Sequence, residues 1–439
     1  MPESLPLIYF IVTFALLLLG FPVAFTLGGV SVLFGYFAVG PDFFNLLPLR
    51  IWGRITNVVL IAVPLFIYMG TMLEKSGIAE ELLETMGFLF GKHRGGLAIS
   101  VIVVGALLAA STGIVGATVV TMGLLSLPTM LKRNYSPALA TGTIAASGTL
   151  GQIIPPSIVL VLLGSILNVD IGSMFMGAVI PGLMLVVLYI IYVVAVAYIS
   201  PESAPAMPQD ELKKFREKGM YKRIFFAFFL PTVLIIIVLG SIFAGIASPT
   251  ESAAVGAIGA SILTAMKKKF SLKVVKDVAI YTTHLTAMVF ILLVGATSFG
   301  LIFRGMGGDT YITNLILGSH MSKDLFVFVI MLFVFIAGFF IDFIEITFIV
   351  VPIVAPIFHH FGFDMLWIGI IFAMNLQTSF LTPPFGFSLF YLKGVAPPSI
   401  NIIHIYKGIV PYIIIQLIVL AIVILWPDTV IWLASKISY

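Results

Sequence analysis

Gly148-Thr149-Leu150-Gly151-Gln152-Ile153-Ile154-Pro155-Pro156-Ser157 interrupts an apolar run over 136–167, and Gln377-Thr378-Ser379-Phe380-Leu381-Thr382-Pro383-Pro384 interrupts another over 364–392. Proline has no N–H to donate and clashes with the preceding turn, so a double proline inside such a run breaks a helix. The two pairs are 228 residues apart. The same offset carries Gly77 onto Gly305 and Pro128 onto Pro356, while offsets of 227 and 230 carry Pro22 onto Pro249 and Pro181 onto Pro411. Landmarks recurring in the same order mark an internal repeat.

The rest of the chain sets the medium in which these breaks sit. Of 439 residues, 60% are hydrophobic and 10% charged, with mean hydropathy +1.18. A soluble domain is about 25% charged, so a single soluble domain, a nucleic-acid binder and a disordered chain are excluded. At about 20 apolar residues per crossing of a ~30 Å hydrocarbon core, a lipid bilayer could be crossed ten or more times. Cysteine is absent, which excludes disulfide and thiol chemistry. No GxxxxGK[ST] phosphate loop occurs. The first six residues carry no Lys or Arg, so the first apolar segment is expected to be a retained helix and not a signal peptide.

Apolar stretches at 5–20, 22–40, 51–74, 97–131, 136–167 and 174–199 precede a polar segment, 201–223. Others follow at 224–246, 249–266, 279–303, 324–358, 364–392 and 408–433. The runs 97–131 and 324–358 are interrupted at Ser111-Thr112-Gly113-Ile114-Val115-Gly116 and at Asp342-Phe343-Ile344-Glu345, and read as re-entrant hairpins. The runs 136–167 and 364–392 read as broken helices that still cross. The expected fold is therefore an all-α polytopic membrane protein with two repeats, 1–200 and 224–439, joined by a cytoplasmic linker. Each repeat holds five crossings and one hairpin. Five is odd, so the repeats are inverted.

Charge placement agrees. With that topology Arg50, Arg54, Arg304, Lys323 and Lys436 fall on the side of the N-terminus, and the other eighteen of the 23 basic residues fall opposite. The positive-inside rule makes the opposite side the cytoplasm and puts both termini outside. Segments 78–91 and 309–320 alternate charge and apolarity, as interfacial helices do.

Irregular backbone at membrane depth survives only where protein or an aqueous cavity satisfies it, and broken helices meeting at midplane are a transporter device. Half-helix N-termini favour an anion, while C-terminal carbonyls and hydroxyls offer oxygen to Na⁺. The candidate Na⁺ and substrate residues are Ser111, Thr112, Gly113, Gly116, Gly148, Thr149, Gly151, Pro155, Pro156 and Ser157 in the first half. In the second half they are Asp342, Glu345, Thr378, Ser379, Thr382, Pro383 and Pro384. Small polar residues also serve plain helix packing. Asp342 and Glu345 could hold a cation or cap a helix, and Glu251, at a helix start, reads as a cap. No catalytic constellation or zinc spacing is present, so an enzyme is not expected. A channel would need a continuous polar lining, which these clustered groups do not supply.

The strings GFPVAFTLGG, AVPLFIYMG, STGIVGATVV, GTLGQIIPPS, ASPTESAAVGA and NLQTSFLTPPFG resemble the large membrane subunit of TRAP (tripartite ATP-independent periplasmic) transporters, the DctM family, over essentially the whole chain. The wording of two of them is similar to the mannitol/chloroaromatic branch. The resemblance implies import of a small organic acid driven by two or more Na⁺, in the bacterial inner membrane. It implies two partners, a periplasmic substrate-binding protein and a small four-helix membrane subunit. It further implies an elevator, in which hairpins and broken helices move past a scaffold expected at 5–40 and 224–266. The alternatives are an ion or solute channel, or a stand-alone Na⁺- or H⁺-coupled organic-anion carrier.

Overall fold

A computed structural model describes residues 4–112, 115–210, 212 and 223–436. The first half begins with α1 (Leu5–Leu18), α2 (Val23–Phe34, continued by a π-helical turn to Val39), α3 (Leu47–Ile55) and α4 (Ala62–Lys75). It continues with α5 (Ile78–Phe90), α6 (Gly96–Thr112), α7 (Val115–Lys132), α8 (Pro137–Thr149), α9 (Ile158–Leu167) and α10 (Ile171–Ile199). The second half begins with α11 (Leu230–Phe243), α12 (Pro249–Met266), α13 (Leu272–Gly305), α14 (Gly308–Gly318) and α15 (Lys323–Ala337). Then come α16 (Phe343–Ile349), α17 (Val351–His360), α18 (Met365–Leu381), α19 (Phe387–Val395), α20 (Ile402–Leu425) and α21 (Asp428–Lys436). Among the described residues there is no strand.

Among the described residues, six helical stretches are individually long and apolar enough to cross a bilayer, and α16 with α17, bent by 53°, would make a seventh. Six is fewer than the stretches suggested, because breaks divide the length. α1, α9 and α18 are apolar but shorter than 18 residues. Both Pro-Pro stretches do interrupt helix: α8 passes into a 3-10 turn at Leu150–Gln152 and α9 starts only at Ile158, while α18 and α19 are separated at 382–386. Both Pro-Pro peptide bonds are cis. The stretch 408–433 is not one helix: α20 stops before Trp426-Pro427, and Asp428 opens α21.

Two packing neighbourhoods result. α4 lies against α12 and α13, and α2 against α13. α8 is enclosed by α6, α7 and α20, while α10 packs on α9, α18 and α20. Gly142 of α8 and Gly408 of α20 let two backbones touch. A Cβ on Gly142 would lie 2.1 Å from Gly408 O, and one on Gly408 would lie 2.0 Å from Ala138 O. Beside this crossing the Thr143 and Tyr412 hydroxyls are 2.6 Å apart, and Gln416 Nε2 donates to Tyr189 Oη at 2.9 Å. The start of the polar segment is strapped down. Ser203 O accepts from Ser136 N, Ala204 O from Gly95 N, and Met207 N donates to Gly91 O at 2.8 Å.

Capping settles Glu251 as structural. Its carboxylate accepts from Ser248 N at 2.8 Å while Ser248 Oγ accepts from Glu251 N at 3.3 Å, the reciprocal arrangement that satisfies two helix-end donors.

The glycine that turns the chain after α13 as Gly77 does after α4 is Gly307 and not Gly305. Gly77 has φ +72 between α4 and α5, and Gly307 has φ +76 between α13 and α14, whereas Gly305 is the last residue of α13. A Cβ is disfavoured at such φ by roughly 1–2 kcal/mol. Gly307→Ala should therefore cost about 1 kcal/mol and Gly305→Ala far less. Thermal unfolding in detergent of the two variants checks this, and equal losses would return the turn to Gly305.

Candidate functional site

Both hairpin regions and both helix breaks meet at one cavity of about 420 Å³. Val115, Gly116 and Ala117 at the start of α7 form one wall, and Asp342, Phe343 and Ile344 at the start of α16 another. Ile158 of α9 and Phe380 of α18 bring in the two breaks, and Tyr391 comes from α19. Ile67 of α4 and Met288 of α13 close the remaining side. The lining is mainly apolar with few polar groups, as expected of a small-molecule site. A Cβ on Gly116 would stand 3.1 Å from the Tyr391 ring, so this glycine keeps the ring and the α7 terminus in contact.

A second cavity of about 500 Å³ shares Ala117, Val120 and Tyr281 with the first and extends to Glu74, Lys75, Asp277 and His284. It leads to the ends of α4 and α13 that carry Lys75, Lys273 and Lys276. Thr121 of α7 donates to Glu74 of α4 across it at 3.3 Å. At the opposite end of α13 a pocket of about 70 Å³ lies beside Arg50, Arg54 and Arg304.

Of the residues expected from sequence, the structure brings Gly116 and Asp342 into the cavity wall. Asp342 is also the N-cap of α16. Its Oδ1 accepts from Ile344 N at 3.0 Å, and Glu345 Oε2 accepts from Asp342 N at 3.3 Å. The capping alternative is thus present in the geometry, with Glu345 acting through the cap. Gly148 does not face the cavity: a Cβ there would meet Val119 Cγ2 at 2.4 Å, so it serves the α7–α8 contact. Gly151, Pro155 and Pro156 are buried within the first break, while Pro383 is half-buried and Pro384 exposed at the second. The side chains of Ser111 and Thr112, with Gly113, lie outside the described residues.

The remaining hydroxyls all donate to backbone. Thr149 Oγ1 donates to Ala146 O, Ser157 Oγ to Gln152 O, and Thr378 Oγ1 to Met374 O. Ser379 Oγ donates to Leu376 O at 2.8 Å, and Thr382 Oγ1 to Thr378 O at 2.7 Å. The Thr149, Ser157 and Thr382 bonds reach carbonyls where a helix stops, whereas Thr378 and Ser379 back-bond within α18.

Sequence reasoning missed two residues that it had quoted. Gln152, in the first break, and Gln377, in the last turns of α18, are both 0% exposed. Neither amide oxygen nor amide nitrogen has a protein partner. A buried amide without partners costs about 1–3 kcal/mol, and here it occurs twice, once in each half. Thr347 Oγ1 on α16 is in the same condition. The only earlier signal was position: each glutamine lies a few residues before a double proline.

Comparison with known proteins gives a consistent picture. Two solved transporters share the fold at 14% identity. The YdaH transporter of Alcanivorax borkumensis has a TM-score of 0.64, with 88% of each chain covered. MtrF of Neisseria gonorrhoeae, described among antimetabolite efflux pumps, has 0.56, with 96% of this chain and 94% of that one covered. The C4-dicarboxylate TRAP transporter large permease protein DctM of Vibrio cholerae is 29% identical over 97% of this chain and 96% of its own. The ectoine large permease TeaC of Halomonas elongata is 30% identical over 95% and 96%. The sialic acid large permease SiaM of Vibrio cholerae is 28% identical over 94% of each. The family model described as Tripartite ATP-independent periplasmic transporter, DctM component, matches residues 10–429. A multi-pass helical chain matched end to end in this way belongs to the DctM family, the large permease component of TRAP transporters.

Proposed function

We propose that the chain imports a small organic acid across the bacterial inner membrane, coupled to Na⁺. In this reading a periplasmic binding protein delivers the acid, and a small four-helix subunit sits beside the permease. The observation that carries it is the cavity where two hairpin regions and two helix breaks converge between α4 and α13. The donors suit Na⁺, a hard cation that takes oxygen ligands: the amide oxygens of Gln152 and Gln377 are buried and unpartnered. The continuation of the cavity toward Glu74 and Lys75 favours a conformation open to the Lys-rich side. The packing supports an elevator. α6–α10 and α15–α20 would travel as one body along α1–α4 and α11–α13, with the two repeats inverted. α10 and α20 join the moving body, because they pack on the broken helices.

Relatives of nearly equal similarity bear the names C4-dicarboxylate, ectoine and sialic acid, so likeness does not choose the acid. Proteoliposomes holding the full complex, tested with a panel of carboxylates, should show saturable uptake that needs both an inward Na⁺ gradient and the binding protein. Uptake that ignores Na⁺, or that runs without the binding protein, would reject coupling or delivery respectively.

A further inference from the structure

Arg50 and Arg54 stand one turn apart on α3, and Arg304 closes α13 across a pocket of about 70 Å³. Residues four apart on a helix share a face, so α3 presents both guanidinium groups to the same side. Ser165 of α9 and Thr297 of α13 add hydroxyls, and Pro352 of α17 supplies a wall. Asn57 Nδ2 donates to Ser165 Oγ at 3.4 Å, fixing the end of α9 beside the arginines. Three like charges repel when nothing lies between them. Burial first, then the charges of Arg304 and Arg50, lower the Arg54 guanidinium from its ordinary value. Among the described residues none of the three guanidinium groups makes an ion pair or a hydrogen bond; the carboxylate nearest in effect to Arg304 is Asp309, which does not pair with it.

Grouped arginines that make no ion pair suit an oxyanion, because the planar guanidinium matches carboxylate and sulfate geometry. We propose that Arg50, Arg54 and Arg304 form an oxyanion site that holds a carboxylate of the incoming acid at the mouth opposite the Lys-rich ends. The identification of the anion as the transported acid rests on the function proposed above. The pocket takes a single charged group, and its walls belong to both packing neighbourhoods: α3 and α13 on one side, α9 and α17 on the other. A bound carboxylate there spans the seam along which the two would slide. A lipid phosphate shares the chemistry but would come from the bilayer.

Inorganic sulfate is the probe. Its binding is measured by calorimetry on the full-length protein in phosphatidylcholine nanodiscs at fixed ionic strength. Arg54→Gln and Arg304→Gln should each weaken sulfate binding at least tenfold, and Arg54→Lys less. Lys323→Gln, a basic residue outside the pocket, should leave binding unchanged. Should Arg54→Gln fail to fold, the exposed Arg50 and Arg304 carry the same test. No sulfate binding, or equal binding in all variants, overturns the site. Sulfate binding abolished by phosphatidylglycerol in the disc, with that lipid co-purifying only with wild type, overturns it in favour of a headgroup. Variants that lose only capture of the binding protein overturn it in favour of a docking contact. Uptake of every carboxylate failing while sulfate binding maps to the arginines rejects the organic-acid reading and leaves the oxyanion site standing.

Discussion

Replacing Gln152 or Gln377 by methionine should make the protein harder to unfold and poor at transport. Methionine keeps the unbranched shape and removes two buried polar atoms that have no protein partner. The unmade hydrogen bonds of each amide cost about 1–3 kcal/mol, so an apolar substitute recovers part of that in the absence of Na⁺. Transport should move the other way. If each amide oxygen binds a coupling ion, losing it should weaken Na⁺ about tenfold for each 1.4 kcal/mol. Loss of both would stop uptake. The measurements are thermal unfolding with and without Na⁺, and uptake against Na⁺ concentration. Stabilisation by Na⁺ should shrink in the variants even where their unfolding temperature in choline is higher. A destabilised variant with unchanged Na⁺ dependence would make the glutamines structural.

Gly408→Leu should remove most of the folded protein. The atom a Cβ would strike is a backbone carbonyl, Ala138 O at 2.0 Å, and Gly142 meets Gly408 O reciprocally. A side chain can rotate aside, but backbone yields only by moving a helix. Separating α8 from α20 also pulls apart the Thr143–Tyr412 hydroxyl pair. Overpacking a core costs about 1–3 kcal/mol and more when nothing can give, and leucine here exceeds the upper end. Gly394→Leu is the control, since nothing lies within 4 Å of a Cβ at Gly394. Monodisperse yield from membranes and unfolding temperature report the result. Equal yields for the two variants would show that the helices separate cheaply.

The breaks were legible because proline acts locally: Pro155-Pro156 and Pro383-Pro384 end helices wherever they occur in a long apolar run. The turn after α13 was less legible for a related reason. The stretch Arg304-Gly305-Met306-Gly307-Gly308 offers three glycines, and only the folded turn selects the one with positive φ. Trp426-Pro427-Asp428 did carry a readable stop and start, a proline followed by an acidic helix opening, which hydropathy alone passes over. Gln152 and Gln377 were not legible as site residues, because a missing partner is a tertiary fact. Arg50, Arg54 and Arg304 were read only as markers of orientation. Their convergence depends on where α3 lies beside α13.

The five hydroxyls at the breaks have a further meaning. A serine or threonine has one hydrogen and two lone pairs, and here each hydrogen is already committed to a main-chain carbonyl. What remains on these oxygens can accept but not donate. Such groups discriminate by charge before they discriminate by size. They can approach a cation, and they turn only electron density toward a carboxylate. An acid entering the cavity would have to find its hydrogens elsewhere, on the amide nitrogens of Gln152 and Gln377 or on the Tyr391 hydroxyl. Cation and anion would then be sorted onto different atoms of the same breaks, with neither competing for the ligands of the other.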